Sequence, residues 1–159
     1  MRNVVLARID DRLIHGQVVT GWLKVTNGNK IYIVDDKLKQ DAMMQTILKT
    51  AAPVGTKVFI QSVEESIAAL KKPGKPEERI ILLAKVPQVY ERMLDAGIEL
   101  PVIILGGMGL TKERRKFYKN VAATQEEIDS LRRISGKGSE VIYQLVPDET
   151  SKNMKSLLT

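Results

Sequence analysis

The chain has 159 residues, 43% of them hydrophobic and 28% charged, the balance of a water-facing globular protein with one core that buries roughly 70% of its unfolded surface. It has no cysteine and one histidine, which excludes disulfides and thiolate metal sites and leaves mainly carboxylates to hold a hard cation. A net charge of +6 accompanies only 4% aromatic residues, too few stacking platforms for a nucleic-acid partner to be expected.

No apolar run approaches the roughly 20 residues needed to cross a membrane. The opening MRNVVLARIDD reaches charge too early to form the apolar core of a secretion signal. A cytoplasmic protein is therefore expected, with residues 1–159 forming a single domain.

In chain order, the first strand expected is VVLARI (4–9). It runs into a charged loop, DDRLIH (10–15), and then into a helix near 16–26. Strand KIYIVD (30–35) and a helix over 37–52 follow, then strand KVFI (57–60) and a helix over 62–72. KPGKPEE (72–78) reads as a turn-rich connector, too short to separate domains. Next come strand RIILLA (79–84), a helix over 86–96 stopped by Gly97, and strand PVIILG (101–106). A short strand NVAA (120–123) precedes a helix over 124–135 that opens TQEE, a capping-box pattern. Strand SEVIYQLV (139–146) and a final helix near 149–158 complete the order.

Most of these strands are continuously apolar, the pattern of strands covered on both faces. The alternation implies an open, doubly wound α/β fold with a mainly parallel sheet of about seven strands. Ligands of such folds sit at the C-terminal ends of the strands. The loop carrying His15 lies at that end of the first strand, and GGMG (106–109) at that end of the fifth.

The first loop holds the chemistry for moving a phosphoryl group. Backbone amides of Gly16 and Gln17, at the start of a helix, favour an anion. Arg12 can fork onto phosphate oxygens, with Arg8 a second candidate if it clears the strand. Asp10 or Asp11 can bond one imidazole nitrogen of His15 and leave the other as a nucleophile. Asp35 and Asp36 end the second strand and are candidates to lie beside and orient His15, although capping of the next helix is the favoured explanation. Gly106 and Gly107 suit a close turn or a phosphate cradle; their spacing matches neither a dinucleotide fingerprint nor a P-loop. Trp22 reads as packing. The basic run KERRKFYK (112–119) is either a solvated surface or a face for phosphate or an acidic protein.

RIDDRLIHGQV (8–18) followed by Trp22, then IYIVDD (31–36) and LGGMG (105–109), resembles the IIB component of the mannose/fructose/sorbose family of bacterial sugar phosphotransferase systems. The resemblance runs from residue 2 to the last helix. It implies that His15 is phosphorylated by a IIA partner, on Nδ1, and that Arg12 assists the transfer. The phosphoryl group then passes to a hexose brought through the membrane by IIC and IID components. Asp10, Gly16 and Gln17 match the surrounding motif positions. The family's seven-stranded, mainly parallel sheet agrees with the reading above. A homodimer, peripheral association with the membrane transporter and no cofactor beyond the phosphohistidine are further implications. With Met1 directly before the first strand, a stand-alone subunit is expected.

Two other functions remain open from the residues. Asp10, Asp11, Asp35 and Asp36 can be read as a Mg²⁺-dependent aspartyl-phosphate site of receiver type. A non-enzymatic anion-binding or RNA-binding module is the remaining alternative.

Overall fold

The protein is described by a computed structural model covering residues 1–159. Its strands are β1 (Val4–Ile9), β2 (Lys30–Val34), β3 (Lys57–Gln61), β4 (Ile80–Ala84), β5 (Val102–Leu105), β6 (Arg115–Tyr118), β7 (Val121–Ala123), β8 (Glu140–Tyr143) and β9 (Lys152–Asn153). Its helices are α1 (Gly16–Thr26), α2 (Ala42–Ala51), α3 (Val63–Lys71), α4 (Pro87–Asp95), α5 (Gln125–Gly136) and α6 (Lys155–Leu158). The main sheet has seven strands in the order β3-β2-β4-β1-β5-β8-β9. All its pairings are parallel except the last, where β9 runs antiparallel to β8.

Strand geometry sends successive side chains to opposite faces, and the core divides accordingly. On one face Ala7, Ile9, Tyr32, Val34, Ile80, Leu82, Ile103 and Leu105 pack with residues of α3, α4, α5 and α6. On the other, Leu6, Ile31, Ile33, Ile81, Leu83 and Ile104 meet Val19, Trp22 and Leu23 of α1 and Leu48 of α2. Both faces are covered, which is why the strands read as unbroken apolar runs. The doubly wound architecture follows from that two-sided burial.

Three expectations are corrected. NVAA does not join the main sheet: β7 pairs antiparallel with β6 in a separate hairpin, and β6 is formed by part of the basic run KERRKFYK, for which no strand was expected. The helix over 37–52 is interrupted, because Asp41 takes an extended conformation and its side chain caps the Met44 amide, starting α2 afresh after a short 3-10 turn. The last segment supplies the edge strand β9 before only a short helix, α6. The capping box expected at Thr124 and Glu127 forms, and an equivalent one joins Ser62 to Glu65 at α3. Gly97, at φ +91°, follows α4 in the left-handed conformation that its lack of a Cβ permits.

Candidate active site

β1 is a central strand between β4 and β5, so the loop leaving its C-terminal end emerges in the middle of the sheet edge. The Asp10 amide still bonds to the Ala84 carbonyl beside it, and the Asp11 amide bonds to the Gly107 carbonyl on the other side. The chain then reverses. The Leu13 amide donates to the Asp10 carbonyl at 3.0 Å, and Leu13 itself sits at φ +57°. That left-handed conformation strains a side chain with a Cβ. Burial of Leu13, at 3% exposure, opposes the strain and pins the turn. His15 is consequently brought back over the end of its own strand and occupies the position just before α1.

Asp10 is the hub. Its carboxylate is almost wholly buried, and each oxygen is engaged. Oδ1 accepts from the Arg12 backbone amide at 3.0 Å. Oδ2 lies 3.2 Å from Arg8 Nη2 and 3.1 Å from His15 Nε2. With an anionic carboxylate at Nε2, the tautomer favoured for neutral imidazole carries its proton there and leaves Nδ1 with a free lone pair. Between the two aspartates left open by the sequence, the hydrogen bond belongs to Asp10.

Arg8 does not reach a ligand. It points into the face occupied by α1, is 1% exposed, and gives Nη1 and Nη2 to the carbonyls of Gln144 and Leu145, both at 2.8 Å. Its guanidinium lies 5.2 Å from the Trp22 ring centre. Burial lowers its pKa, opposed chiefly by the Asp10 charge. A buried cation is tolerated only when paired and bonded in this way. Trp22 is therefore more than filler: its Nε1 also donates to the Leu145 carbonyl at 3.3 Å.

Arg12 behaves differently. Its side chain is 58% exposed, and its one ionic contact is Nε to Asp10 Oδ1 at 3.8 Å. It lines a cavity of about 720 Å³ with Asp11, residues 107–110 and the hairpin residues Lys116, Lys119 and Asn120. His15 keeps partial exposure, 19% at its side chain. The first turn of α1 has no acidic residue and no side-chain cap, so its leading amides, beginning at Gly16 and the exposed Gln17, are available to an anion.

Gly106 has a packing role. A Cβ built there stands 2.9 Å from the Ile9 carbonyl oxygen and collides with the Arg8 guanidinium. Gly107 is looser, with Asp10 and Arg12 atoms at ordinary contact distance, and its backbone lines the cavity.

Asp35 and Asp36 do not join this cluster. Asp35 accepts from the Leu38 amide at 2.9 Å. Asp36 accepts from the Val63 amide at the start of α3 and pairs with Arg92 at 3.0 Å. Their carboxylates cap and tie elements together, in a cleft formed with α4 and α3 residues. The four aspartates of the receiver-type alternative are likewise not gathered, and no group of three or more His, Asp or Glu side chains is placed to share a cation. Arg114, within the basic run read as a solvated surface or a binding face, is instead 9% exposed at its side chain and clasped by Asp11 and Glu127. Sequence reading also missed the Gln144 and Leu145 carbonyls, because backbone acceptors leave no residue-type signal.

Comparison with known proteins places the whole chain in one family. The family described as "PTS system sorbose subfamily IIB component" matches residues 4–159. The fructose-specific EIIB component of Bacillus subtilis is 33% identical over 99% of this chain and 97% of its own length. The mannose-specific EIIAB component of Escherichia coli is 31% identical over 97% of this chain, which spans 48% of that longer protein. The crystal structure of the IIB domain of the Klebsiella pneumoniae sorbose permease superposes with a TM-score of 0.93 at 32% identity, covering 99% of this chain and 96% of that one. A match across nearly the whole chain, in sequence and in fold, shows that it belongs to the sorbose-subfamily IIB components of the bacterial sugar phosphotransferase system.

Proposed function

We propose that His15 carries the phosphoryl group, accepting it on Nδ1 from a phosphohistidine of a IIA partner and delivering it to a sugar hydroxyl during uptake. The observation that carries this reading is the Asp10 Oδ2 to His15 Nε2 contact of 3.1 Å, which commits one imidazole nitrogen and frees the other.

In the first transfer the Nδ1 lone pair attacks phosphorus in line. A new N–P bond forms as the donor's N–P bond breaks, and that electron pair returns to the donor imidazole. The imidazole of His15 keeps its Nε2 proton, and Asp10 stabilises the positive charge that the ring acquires. Arg12 and the open amides of α1 supply positive field to the equatorial oxygens, so the scheme requires no added cofactor. In the second transfer the sugar oxygen attacks phosphorus, the N–P electrons return to Nδ1, and the hydroxyl proton ends on the released imidazole.

The same loop serves donor and acceptor in turn, consistent with a histidine only partly covered. No helix is long and apolar enough to cross a membrane; in this proposal the sugar is presented by membrane components of IIC and IID type, against which the chain docks. Relatives named for mannose, fructose, sorbose and N-acetylgalactosamine support a hexose-type sugar, amino sugars included, as the substrate.

The decisive experiment incubates the protein with phosphoenolpyruvate, the general phosphotransferase proteins and a matching IIA. Label should appear on His15, survive alkali, be lost in acid, and be absent from His15→Ala. Label that persists in that variant, or that hydroxylamine releases, defeats the proposal.

A further inference from the structure

Asp11 is the one acidic side chain that lines the cavity beside Arg12. A carboxylate there has two disadvantages for phosphoryl transfer. It can draw the exposed Arg12 guanidinium to itself, and it repels an incoming phosphate. The structure shows how that carboxylate is occupied. Asp11 Oδ2 accepts from the Gly109 amide at 2.7 Å and from Arg114 Nη1 at 3.0 Å. Arg114 Nη1 also donates to the Gly109 carbonyl at 3.1 Å. The rest of the guanidinium forks onto Glu127, with Nε at 3.0 Å and Nη2 at 2.8 Å. Glu127 is fixed in turn by the capping box at the start of α5.

We propose that Arg114 is a positioning residue for phosphoryl transfer: by neutralising Asp11 and tethering it to Gly109, it leaves Arg12 uncommitted for phosphate. The proposal rests on the His15 reading above. Arg114 acts through Asp11 and Arg12 and touches no reacting atom. Its burial supports the assignment. The side chain is 9% exposed with Glu127 at 7% and Asp11 at 25%, so the charges are poorly screened and their balance is felt locally. Bridging two carboxylates also explains an arginine at this position: its fixed fork reaches both at once, which a lysine ammonium does not. Arg12 itself shows the consequence, since its guanidinium has no partner closer than the 3.8 Å contact with Asp10.

The test must separate charge balance from simple folding. Arg114→Met alone strands the buried Glu127 carboxylate, so the series is built on Glu127→Gln, whose amide can still cap α5. Three proteins are compared with wild type: Glu127→Gln, Glu127→Gln/Arg114→Met, and that double variant with Asp11→Asn added. The readout is the initial rate of His15 phosphorylation by IIA at low and high salt. The double variant should lose about tenfold relative to Glu127→Gln, as is usual for coupled neighbouring charges. Adding Asp11→Asn should recover most of that loss, and added salt should shrink it. If the double variant matches Glu127→Gln, or if Asp11→Asn leaves or deepens the defect, Arg114 has no such role. Failure of wild type to phosphorylate at His15 overturns the underlying reading instead, so the two failures are distinguishable.

Discussion

Asp10 binds His15 and Arg8 through the same oxygen, with Oδ2 at 3.1 Å from His15 Nε2 and 3.2 Å from Arg8 Nη2. The imidazole is thus oriented by a carboxylate whose own position is set by a buried arginine, anchored in turn to the carbonyls after β8. Preorganisation of this kind reaches from the reactive loop across the α1 face to the end of β8, two strands along the sheet.

Asp10→Asn should therefore damage both chemistry and stability. The amide can present either an oxygen or a nitrogen to Nε2, so the imidazole tautomer is no longer dictated. A loss of roughly 100-fold or more in phosphorylation rate is expected, by analogy with other carboxylate-oriented histidines. Arg8 is also left buried without its counter-charge, at a cost of about 3–5 kcal/mol. Stopped-flow transfer from IIA together with urea unfolding measures the two effects. An unaltered rate refutes the orienting role.

Arg12→Gln should separate them. Its side chain is 58% exposed and its one ionic contact is the long 3.8 Å approach to Asp10, so Tm should shift little, whereas transfer should slow by about 10²-fold, the loss typical when a charge-stabilising donor is removed. Arg12→Lys should recover only part, because a lysine cannot fork onto phosphate. Equal losses in stability and rate would contradict this division.

Gly106→Ala tests the packing of Arg8. The added methyl enters space held by the guanidinium and by the Ile9 carbonyl, so about 1–3 kcal/mol of destabilisation is expected from overpacking. Because Arg8 lies 5.2 Å from the only tryptophan, Trp22, its displacement should also change the intrinsic tryptophan fluorescence. A variant with wild-type stability and spectrum would show that the guanidinium yields without cost.

Glu127 sets an acid-side expectation. Burial pushes its pKa up, but the Arg114 fork and the Thr124 bonds together outweigh this and hold it below the ordinary glutamate value. A group depressed in the folded state contributes stability that is fully present above its unfolded pKa, about 4.3, and is lost as pH falls through the folded value. Glu127→Gln should accordingly destabilise the protein at neutral pH and cost progressively less below about pH 4. Thermal unfolding across that range, compared with wild type, checks the sign. A difference that grows on acidification contradicts it.

Much of this was legible from residue order because it depends on local rules. Continuously apolar runs separated by amphipathic segments specify strands buried on both faces, and Ile31, Ile33, Tyr32 and Val34 show how one such run feeds both cores. Thr124 with Glu127 announced its cap. The end of β1 was legible as a site because Asp10, Arg12 and His15 follow it directly. The β6–β7 hairpin was not legible, since its strand RKFY is half charged and is defined by its partner rather than by its own pattern.

By itself, then, the sequence determined most of the element types, the two-sided sheet and the placement of its one histidine at a strand end, because propensity and periodicity act over a few residues. Tertiary structure alone decided which charges meet. It gave His15 to Asp10 rather than Asp11, turned Arg8 inward onto Trp22, tied Asp36 to the distant start of α3 and to Arg92, and folded Arg114 back onto Asp11. Those pairings join residues as far apart as Arg8 and Leu145, and only the burial of the surrounding core makes them worth more than contact with water.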